Sequence, residues 1–250
     1  MPDKIYLVSG ANRGIGLAIV TQLAARPDTV VFAGARNPAS ATSLQALVDT
    51  HPGRFHILKL VSADRESNFA AAEEIKKTAG HLDVVVANAG ISQCSQDVLS
   101  VPLEQMMKHF EINTNGTLLL FQAMHSLLNA SPSPKFVAVT SIVGSLQAGS
   151  QLPINNIPYG ASKAALNWLT RKLHCDFPNM IVFPIQPGAV DTDLLNSLKG
   201  EARVAEVLKA YPPIPAAESA RGIIEQIDIA TRETHSGEFV ANTGLGQMVW

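Results

Sequence analysis

The sequence has few cysteines, little excess charge of either sign and no long apolar runs. Only Cys94 and Cys175 occur among 250 residues, which gives no disulfide framework and is typical of a reducing compartment. Lys and Arg number 19 and Asp and Glu 21, so neither nucleic acid nor an anionic membrane surface is an expected partner. A membrane helix needs roughly 18 apolar residues in a row, and the N-terminus lacks the pattern of a signal peptide. These absences favour a cytoplasmic protein with small-molecule partners.

Apolar residues make up 46% of the chain, and they follow two alternating patterns. Short β-branched runs separated by longer segments of helical period require crossover helices and therefore a parallel sheet. The predicted strands span residues 4–9, 29–35, 55–61, 84–87, 136–140, 180–185 and 238–241. Residues 84–87 are apolar at every position, so both faces of the sheet must be covered, as in a doubly wound α/β fold.

The segments between the predicted strands have the apolar spacing of helices. Phe69, Ala72 and Ile75 mark the apolar face of one helix, while residues 102–129 and 161–176 form long helical segments. Residues 211–215, with three prolines, predict a loop between two late helices. No linker, charge block or low-complexity tract divides the chain, which predicts a single domain over residues 1–250.

The first predicted strand runs into a glycine-rich turn at residues 9–16, SGANRGIG, and a helix follows. Glycines at such a turn let the backbone approach a phosphate, and the helix N-terminus supplies N–H donors and a positive dipole. An ordinary βα turn can carry the same residues. The position after the first strand of a parallel sheet favours phosphate binding.

Two arginines near this turn bear on the choice of dinucleotide. An NAD site usually ends its second strand with an acid that bonds the ribose 2′-hydroxyl, whereas this chain has Arg36 there. Arg13 lies in the glycine turn itself. Either alone is an ordinary surface charge, but two guanidinium groups near one ribose favour a 2′-phosphate through forked, charge-assisted hydrogen bonds. The pair predicts NADP(H).

Tyr159 and Lys163 lie one helical turn apart in the segment YGASK. A phenol with a pKa near 10 is a poor acid–base catalyst at neutral pH, but a nearby ammonium group favours its ionised form. A Tyr and a Lys that merely share a helix face have the same spacing. The pair is therefore a candidate acid–base site only in combination with its neighbours.

These motifs follow one another in the order of a known family. The sequence resembles the short-chain dehydrogenase/reductases over essentially its whole length, and within them it is similar to fungal norsolorinic-acid-type ketoreductases and small carbonyl reductases. The matching residues are Gly10, Gly14, Gly16, Asn88-Ala89-Gly90, Asn113, Ser141, Tyr159, Lys163 and Pro187-Gly188. Each alone is explained by a turn or a buried polar group, whereas their shared order argues against coincidence. The resemblance implies a Rossmann fold.

The same resemblance implies a catalytic group and its roles. Ser141 would position the substrate carbonyl oxygen and Tyr159 would give it a proton. Lys163 would hold the nicotinamide ribose and lower the pKa of Tyr159, and Asn113 would hold the water of a proton relay behind Lys163. Asn88 and Gly90 would line the adenosine ribose. The expected cofactor-binding residues are Gly10, Asn12, Arg13, Gly14, Ile15, Gly16, Arg36, Asn88, Gly90, Tyr159, Lys163, Pro187, Gly188, Val190 and Thr192.

The sequence departs from the family pattern at two places. Val61 stands where many members carry an acid that meets the adenine. The interval between Ser141 and Tyr159 is long, so residues 142–156 are expected to shape the substrate pocket. The rivals to Ser141 are Ser145 and Ser162. The predicted apolar lid consists of Leu194, Leu195 and Leu198.

The predicted function is NADPH-dependent reduction of a ketone or aldehyde, preferably a bulky apolar or aromatic one of secondary-metabolite type. The alternatives are an NADP-binding sensor or scaffold on the same fold, and an alcohol dehydrogenase working in the oxidative direction. No metal site is expected, because His109, His125 and His174 lack ligand spacing. Homo-oligomerisation is left open.

Overall fold

A computed structural model describes residues 4–196 and 202–250, and in these residues seven strands form one parallel sheet. The order across the sheet is β3-β2-β1-β4-β5-β6-β7. The strands are β1 Lys4–Ser9, β2 Thr29–Ala35, β3 Phe55–Lys59, β4 Val84–Ala87, β5 Lys135–Val139, β6 Ile181–Gln186 and β7 Val240–Ala241. The predicted parallel sheet is therefore confirmed. Its order reverses between β1 and β4, which is where doubly wound sheets bind ligands.

Helices connect the strands. They are α1 Gly14–Ala24, α2 Thr42–Thr50, α3 Arg65–Thr78, α4 Leu103–His109, α5 Gly116–Leu128, α6 Ile157–Asp176, α7 Asp193–Asn196, α8 Ala202–Ala210 and α9 Ala216–Ile229. A π-helical turn, Phe110–Asn115, joins α4 to α5, and short 3₁₀ turns occur at Pro38–Ser40, Ile142–Gly144 and Gly149–Gln151. The proline-rich stretch at 211–215 connects α8 to α9, as predicted.

The core has two layers, one on each face of the sheet. Side chains of α1 and α9, such as Ile19 and Ile223, pack with Val84 and Val86 on one face. Side chains of α3 and α5 pack with Val85 on the other face. Alternate residues of β4 thus enter opposite layers, which explains why the strand is apolar throughout.

Three predicted details are wrong, and one of them is the last strand, which spans only Val240–Ala241 instead of residues 238–241. The third strand ends at Lys59 instead of residue 61, because the backbone of Val61 forms hydrogen bonds with side chains of α3. The Val61 N–H donates to Ser67 Oγ at 3.1 Å, and the Val61 carbonyl oxygen accepts from Asn68 Nδ2 at 2.8 Å. Phe69 is 36% exposed and lies outside the core, with the Arg65 guanidinium over its ring at 4.4 Å. A cation over an aromatic face offsets the cost of that exposure.

Candidate active site

A cavity of about 1250 Å³ opens at the carboxyl edge of the sheet. Typical ligand pockets are about 300–1,000 Å³, so this one has room for more than one small ligand. Its walls come from the segments that follow β1, β2, β4, β5 and β6. The predicted site residues that line it are Gly10, Asn12, Arg13, Gly14, Ile15, Arg36, Asn88, Gly90, Ser141, Tyr159, Lys163, Pro187, Gly188, Val190 and Thr192. Gly16 and Asn113 lie behind the wall.

The glycine turn is held in a shape that other residues would not adopt. Gly10 and Gly14 have φ of +64° and +55°. A Cβ on Gly16 would lie 2.3 Å from the Gly10 carbonyl oxygen, so this turn requires glycine there. Asn88 braces the turn, since its Nδ2 donates to the carbonyl oxygens of Ser9 and Gly10 at 3.0 and 3.1 Å.

The start of α1 has the chemistry of an anion site. Its first turn contains no acidic residue, and its N-cap residue, Arg13, makes no side-chain cap hydrogen bond. The free N–H groups of a helix N-terminus and its positive dipole favour a phosphate. A glycine-lined turn with this donor set fits the diphosphate of a dinucleotide.

Arg13 and Arg36 both lie on the cavity wall, and Val61 also lines it. Arg13 pairs with Asp193 of α7 at 3.1 Å, and both side chains are largely exposed. Exposed ion pairs contribute little free energy, so this contact leaves Arg13 available to a stronger anion. The structure thus brings the two predicted cations to one cavity.

Ser141 and Tyr159 both line this cavity. Ser141 follows β5 and begins a 3₁₀ turn, where its Oγ accepts a hydrogen bond from the Val143 N–H at 3.2 Å. Tyr159 lies in the first turn of α6 and lines the same cavity. Burial raises the pKa of Tyr159, while the side chain of Ser141 acts in the lowering direction.

Lys163 lies one turn further along α6 and is 4% exposed. Its Nζ donates to the Val139 carbonyl oxygen at 2.9 Å and lies 5.7 Å from the centre of the Tyr159 ring. Burial lowers the pKa of Lys163 to about 8. Burial of the phenol is the largest influence on the pKa of Tyr159 and raises it. The lowering of this pKa by Lys163, which the family resemblance implies, stays a prediction.

Asn113 is fully buried in the π-helical turn. Its Oδ1 accepts from the Ile91 N–H at 2.8 Å, and its Nδ2 donates to the Ile91 carbonyl and to Ser162 Oγ, both at 3.0 Å. Through these bonds the Asn113 side chain connects the segment that follows β4, at Ile91, to α6, at Ser162. The predicted role of Asn113 in holding a relay water stays a prediction.

The two rival serines serve local structure. Ser145 Oγ accepts from the Ala148 N–H at 2.9 Å, and Ser162 Oγ donates to the Tyr159 carbonyl at 2.7 Å. Neither residue lines the cavity, whereas Ser141 does. The choice of Ser141 agrees with this arrangement.

Residues 142–156 form a folded loop beside Ser141 and Tyr159, as expected. Its backbone packs tightly: a Cβ on Gly144 would lie 2.6 Å from the Lys163 carbonyl carbon, and one on Gly149 would lie 2.4 Å from the Val143 carbonyl oxygen. The loop residues on the cavity wall are Ile142, Val143, Ala148, Gln151, Leu152, Ile154 and Asn156.

The remaining wall includes residues that the sequence reasoning missed. Leu194 and Leu195 line the cavity as predicted, while Leu198 lies outside the described residues. The missed residues of α8 and its end are Val204, Val207, Leu208 and Tyr211. Their spacing at i, i+3, i+4 and i+7 is that of an amphipathic helix and could have indicated them. Residues 247–249 also line the cavity, and no motif marks them.

The described residues contain no cluster of three or more His, Cys, Asp and Glu side chains placed to hold a metal ion. Within the same part of the chain, every helix is too short or too polar to cross a membrane.

The doubly wound sheet and its glycine turn fit a dinucleotide-binding protein, and comparison with known proteins shows its family. The short chain dehydrogenase family model matches residues 4–202, and the chain belongs to this family. Norsolorinic acid ketoreductase of Aspergillus parasiticus is 35% identical over 255 residues, covering 99% of this chain and 92% of that protein. The corresponding enzyme of Dothistroma septosporum, nor1, is also 35% identical, over 98% of this chain and 92% of its own length.

Solved structures of carbonyl reductases have the same fold as this chain. The NADPH-bound carbonyl reductase from chicken fatty liver has a TM-score of 0.88 at 28% identity, covering all of both chains. Carbonyl reductase Sniffer of D. melanogaster has a TM-score of 0.84 at 25% identity, again over both whole chains. The protein is therefore an oxidoreductase of the short-chain dehydrogenase family, which uses a nicotinamide cofactor and acts on a small molecule.

Proposed function

We propose that the protein is an NADPH-dependent ketoreductase that converts a bulky apolar or aromatic ketone or aldehyde of secondary-metabolite type to an alcohol. The observation that carries this proposal is the meeting of Ser141, Tyr159 and Lys163 on one wall of the cavity that also holds both arginines. The fungal ketoreductases at 35% identity support the reaction class.

The residues that would hold the cofactor follow the cavity from end to end. The glycine turn and the start of α1 bind the diphosphate, while Arg13 and Arg36 grip the 2′-phosphate with charge-assisted hydrogen bonds. Asn88 and Gly90 lie along the adenosine ribose. Pro187, Gly188, Val190 and Thr192 enclose the nicotinamide end.

The catalytic roles follow from the chemistry of the three side chains. When bound, the reduced nicotinamide supplies a hydride to the carbonyl carbon. Ser141 donates a hydrogen bond to the carbonyl oxygen, and Tyr159 transfers its phenolic proton to that oxygen as the alcohol forms. The phenol of Tyr159 is protonated at neutral pH, as a proton donor in reduction must be.

Lys163 and Asn113 support the proton donor, Lys163 by binding the cofactor and Asn113 by positioning the neighbouring segments. An ammonium group has three N–H donors, and one of them is directed to Val139. In this proposal the others reach the nicotinamide ribose hydroxyls. Asn113 is a positioning residue, since its side-chain bonds to Ile91 and Ser162 hold the walls on either side.

A turnover screen tests the proposal. Purified protein is mixed with NADPH and a panel of aromatic and aliphatic ketones, and the loss of NADPH absorbance is followed, with NADH in a parallel series. We expect ketone-dependent oxidation of NADPH, faster with bulky aromatic ketones and weaker with NADH. Binding of NADPH without turnover of any carbonyl compound or alcohol would overturn it in favour of a sensor.

A further inference from the structure

The segment 242–250 is a second wall of the cavity with its own anchor. It leaves β7 through a tight turn in which Ala241 and Gly244 exchange two backbone hydrogen bonds, of 3.1 and 3.0 Å. Thr243 Oγ1 then donates to Gln247 Oε1 at 2.6 Å. The reversal places residues 247–249 on the cavity wall, where Met248 and Val249 contribute apolar surface.

Trp250 fixes the end of this segment. Its ring lies against Phe239 with centroids 5.6 Å apart, and the Arg171 guanidinium of α6 lies over it at 5.0 Å. Arg171 is itself held by a 2.7 Å hydrogen bond to the Gly237 carbonyl. A large aromatic ring with a cation on its face is a strong, directional anchor.

Trp250 also reaches the loop 142–156. Its carbonyl oxygen accepts a hydrogen bond from the Gln147 N–H at 3.0 Å. Ala148 and Gln151 follow Gln147 on the cavity wall. One residue thus connects two wall segments on the side of the cavity that holds Ser141.

We propose that residues 247–249 form a wall of the substrate-binding half of the cavity, and that Trp250 is the positioning residue that holds this wall against the loop 142–156. Trp250 thereby sets the preference for bulky carbonyl substrates. The inference rests on the proposed reductase function. Without the Trp250 ring, the carbonyl that bonds Gln147 loses its fixed position, so both walls move apart.

The predicted consequence is a loss of substrate fit without a loss of chemistry. Because Ser141, Tyr159 and Lys163 are held by other contacts, the kcat for a small ketone stays near that of the wild type. The affinity for NADPH stays unchanged because the glycine turn is not part of this anchor.

Four proteins are compared: wild type, Trp250→Ala, Trp250→Phe and Trp168→Ala. Trp168 is the matched control, since it is 69% exposed on α6 and does not line the cavity. The measurements are kcat and KM for one bulky aromatic and one small aliphatic ketone, Kd for NADPH, and amide hydrogen exchange of residues 145–152.

Trp250→Ala should raise KM for the bulky ketone about 10-fold or more, the range that a hydrophobic pocket contact contributes, and should speed exchange at 145–152. Trp250→Phe should restore KM to near wild type because an aromatic ring again faces Phe239 and Arg171. Unchanged KM for both ketones in a folded Trp250→Ala protein would overturn the inference.

The exchange measurement separates this inference from the proposed function. If the wild type reduces no ketone, the proposed function fails, and exchange alone decides the coupling. Faster exchange in Trp250→Ala but not in Trp168→Ala would then support it. Equal exchange in all four proteins would overturn it.

Discussion

Tyr159 is the proton donor in the proposed reaction. Substitution Tyr159→Phe keeps the ring and removes the proton donor, so kcat should fall about 10²-fold to 10⁴-fold. NADPH affinity should change little, because the glycine turn, the arginines and Lys163 hold the cofactor. Steady-state kinetics with a direct cofactor titration measure both quantities.

A second tyrosine provides the control for that experiment. Tyr211 also lines the cavity and is 65% exposed, and Tyr211→Phe should retain kcat. Near-normal turnover in Tyr159→Phe would move the proton-donor role to another group.

Arg36 is the residue that should decide between the two dinucleotides. Substitution Arg36→Asp removes a charge-assisted contact worth roughly 1.5–3 kcal/mol and supplies an acceptor for a ribose hydroxyl. NADPH affinity should fall and NADH affinity rise, with a further fall for NADPH when Arg13→Ala is added. Titration with each cofactor checks this against Arg65→Asp, which reverses a charge on α3 away from the cavity. If the double variant binds NADPH as wild type does, the 2′-phosphate assignment fails.

At the scale of elements, the 3₁₀ turn Ile142–Gly144, which follows Ser141, packs closely against α6. A Cβ at Gly144 would lie under 3.0 Å from backbone atoms of both Lys163 and Ala164. Gly144→Ala should therefore lower the free energy of unfolding by about 1–3 kcal/mol, and should also lower kcat by moving Ser141 away from Tyr159.

The comparison variant for Gly144→Ala is Gly80→Ala. Gly80 has φ of +79° and nothing within 4 Å of an added Cβ. Gly80→Ala should therefore lower the free energy of unfolding only through its unfavourable backbone conformation, by about 1–2 kcal/mol. Denaturant unfolding should show both variants destabilised, whereas only Gly144→Ala loses turnover. Full kcat in Gly144→Ala would show that the turn and the helix are not coupled through this contact.

The elements themselves were largely predictable from periodicity, and their ends were not. The predicted 161–176 helix begins at Ile157, because Pro158 is accommodated in a first turn that needs no N–H partner. The predicted 102–129 helix contains a π-helical turn, which the apolar period of α4 and α5 does not reveal. The first difference has a local cause, whereas the π-helical turn is accompanied by hydrogen bonds from Asn113 to Ile91 and Ser162, which are distant in sequence.

At the scale of the whole molecule, two buried lysines and two tyrosines predict how stability depends on pH. Lys135 donates to the Ile227 and Ala230 carbonyl oxygens at 2.6 and 2.8 Å. Burial lowers its pKa from 10.5 to about 8, and burial lowers that of Lys163 equally. Between these values the unfolded chain binds more protons than the folded chain, so stability rises as pH rises through that window.

The tyrosines act in the opposite direction at higher pH. Burial raises the pKa values of Tyr6 and Tyr159 above 10.0, so above pH 10 the unfolded chain loses protons that the folded chain keeps, and stability falls. Urea unfolding from pH 7 to 12 should show a maximum near pH 10, because the rising and falling contributions cancel between the unfolded-chain pKa values of Tyr and Lys. Lys135→Met should flatten the rising limb, and an identical slope in wild type and variant would contradict the assignment.

Some residues of the site could be predicted from short local motifs, whereas others could not. Gly10, Ser141 and Tyr159 belong to local motifs placed at strand ends and a helix start, so their positions could be predicted. The structural bonds of Asn113 and the anchoring of Trp250 join segments with no shared motif, and only the folded chain reveals them.

The compactness of the loop 142–156 has a consequence for how this enzyme can diversify. The loop is pinned at Gly144 against α6, at Gly149 against its own first turn, and at Gly160 against Val143. Substitutions between these points should change the shape of the cavity wall while Ser141 and Tyr159 stay in place. A reductase on this scaffold, as proposed above, would therefore alter its substrate preference through the cavity walls without disturbing its reacting groups.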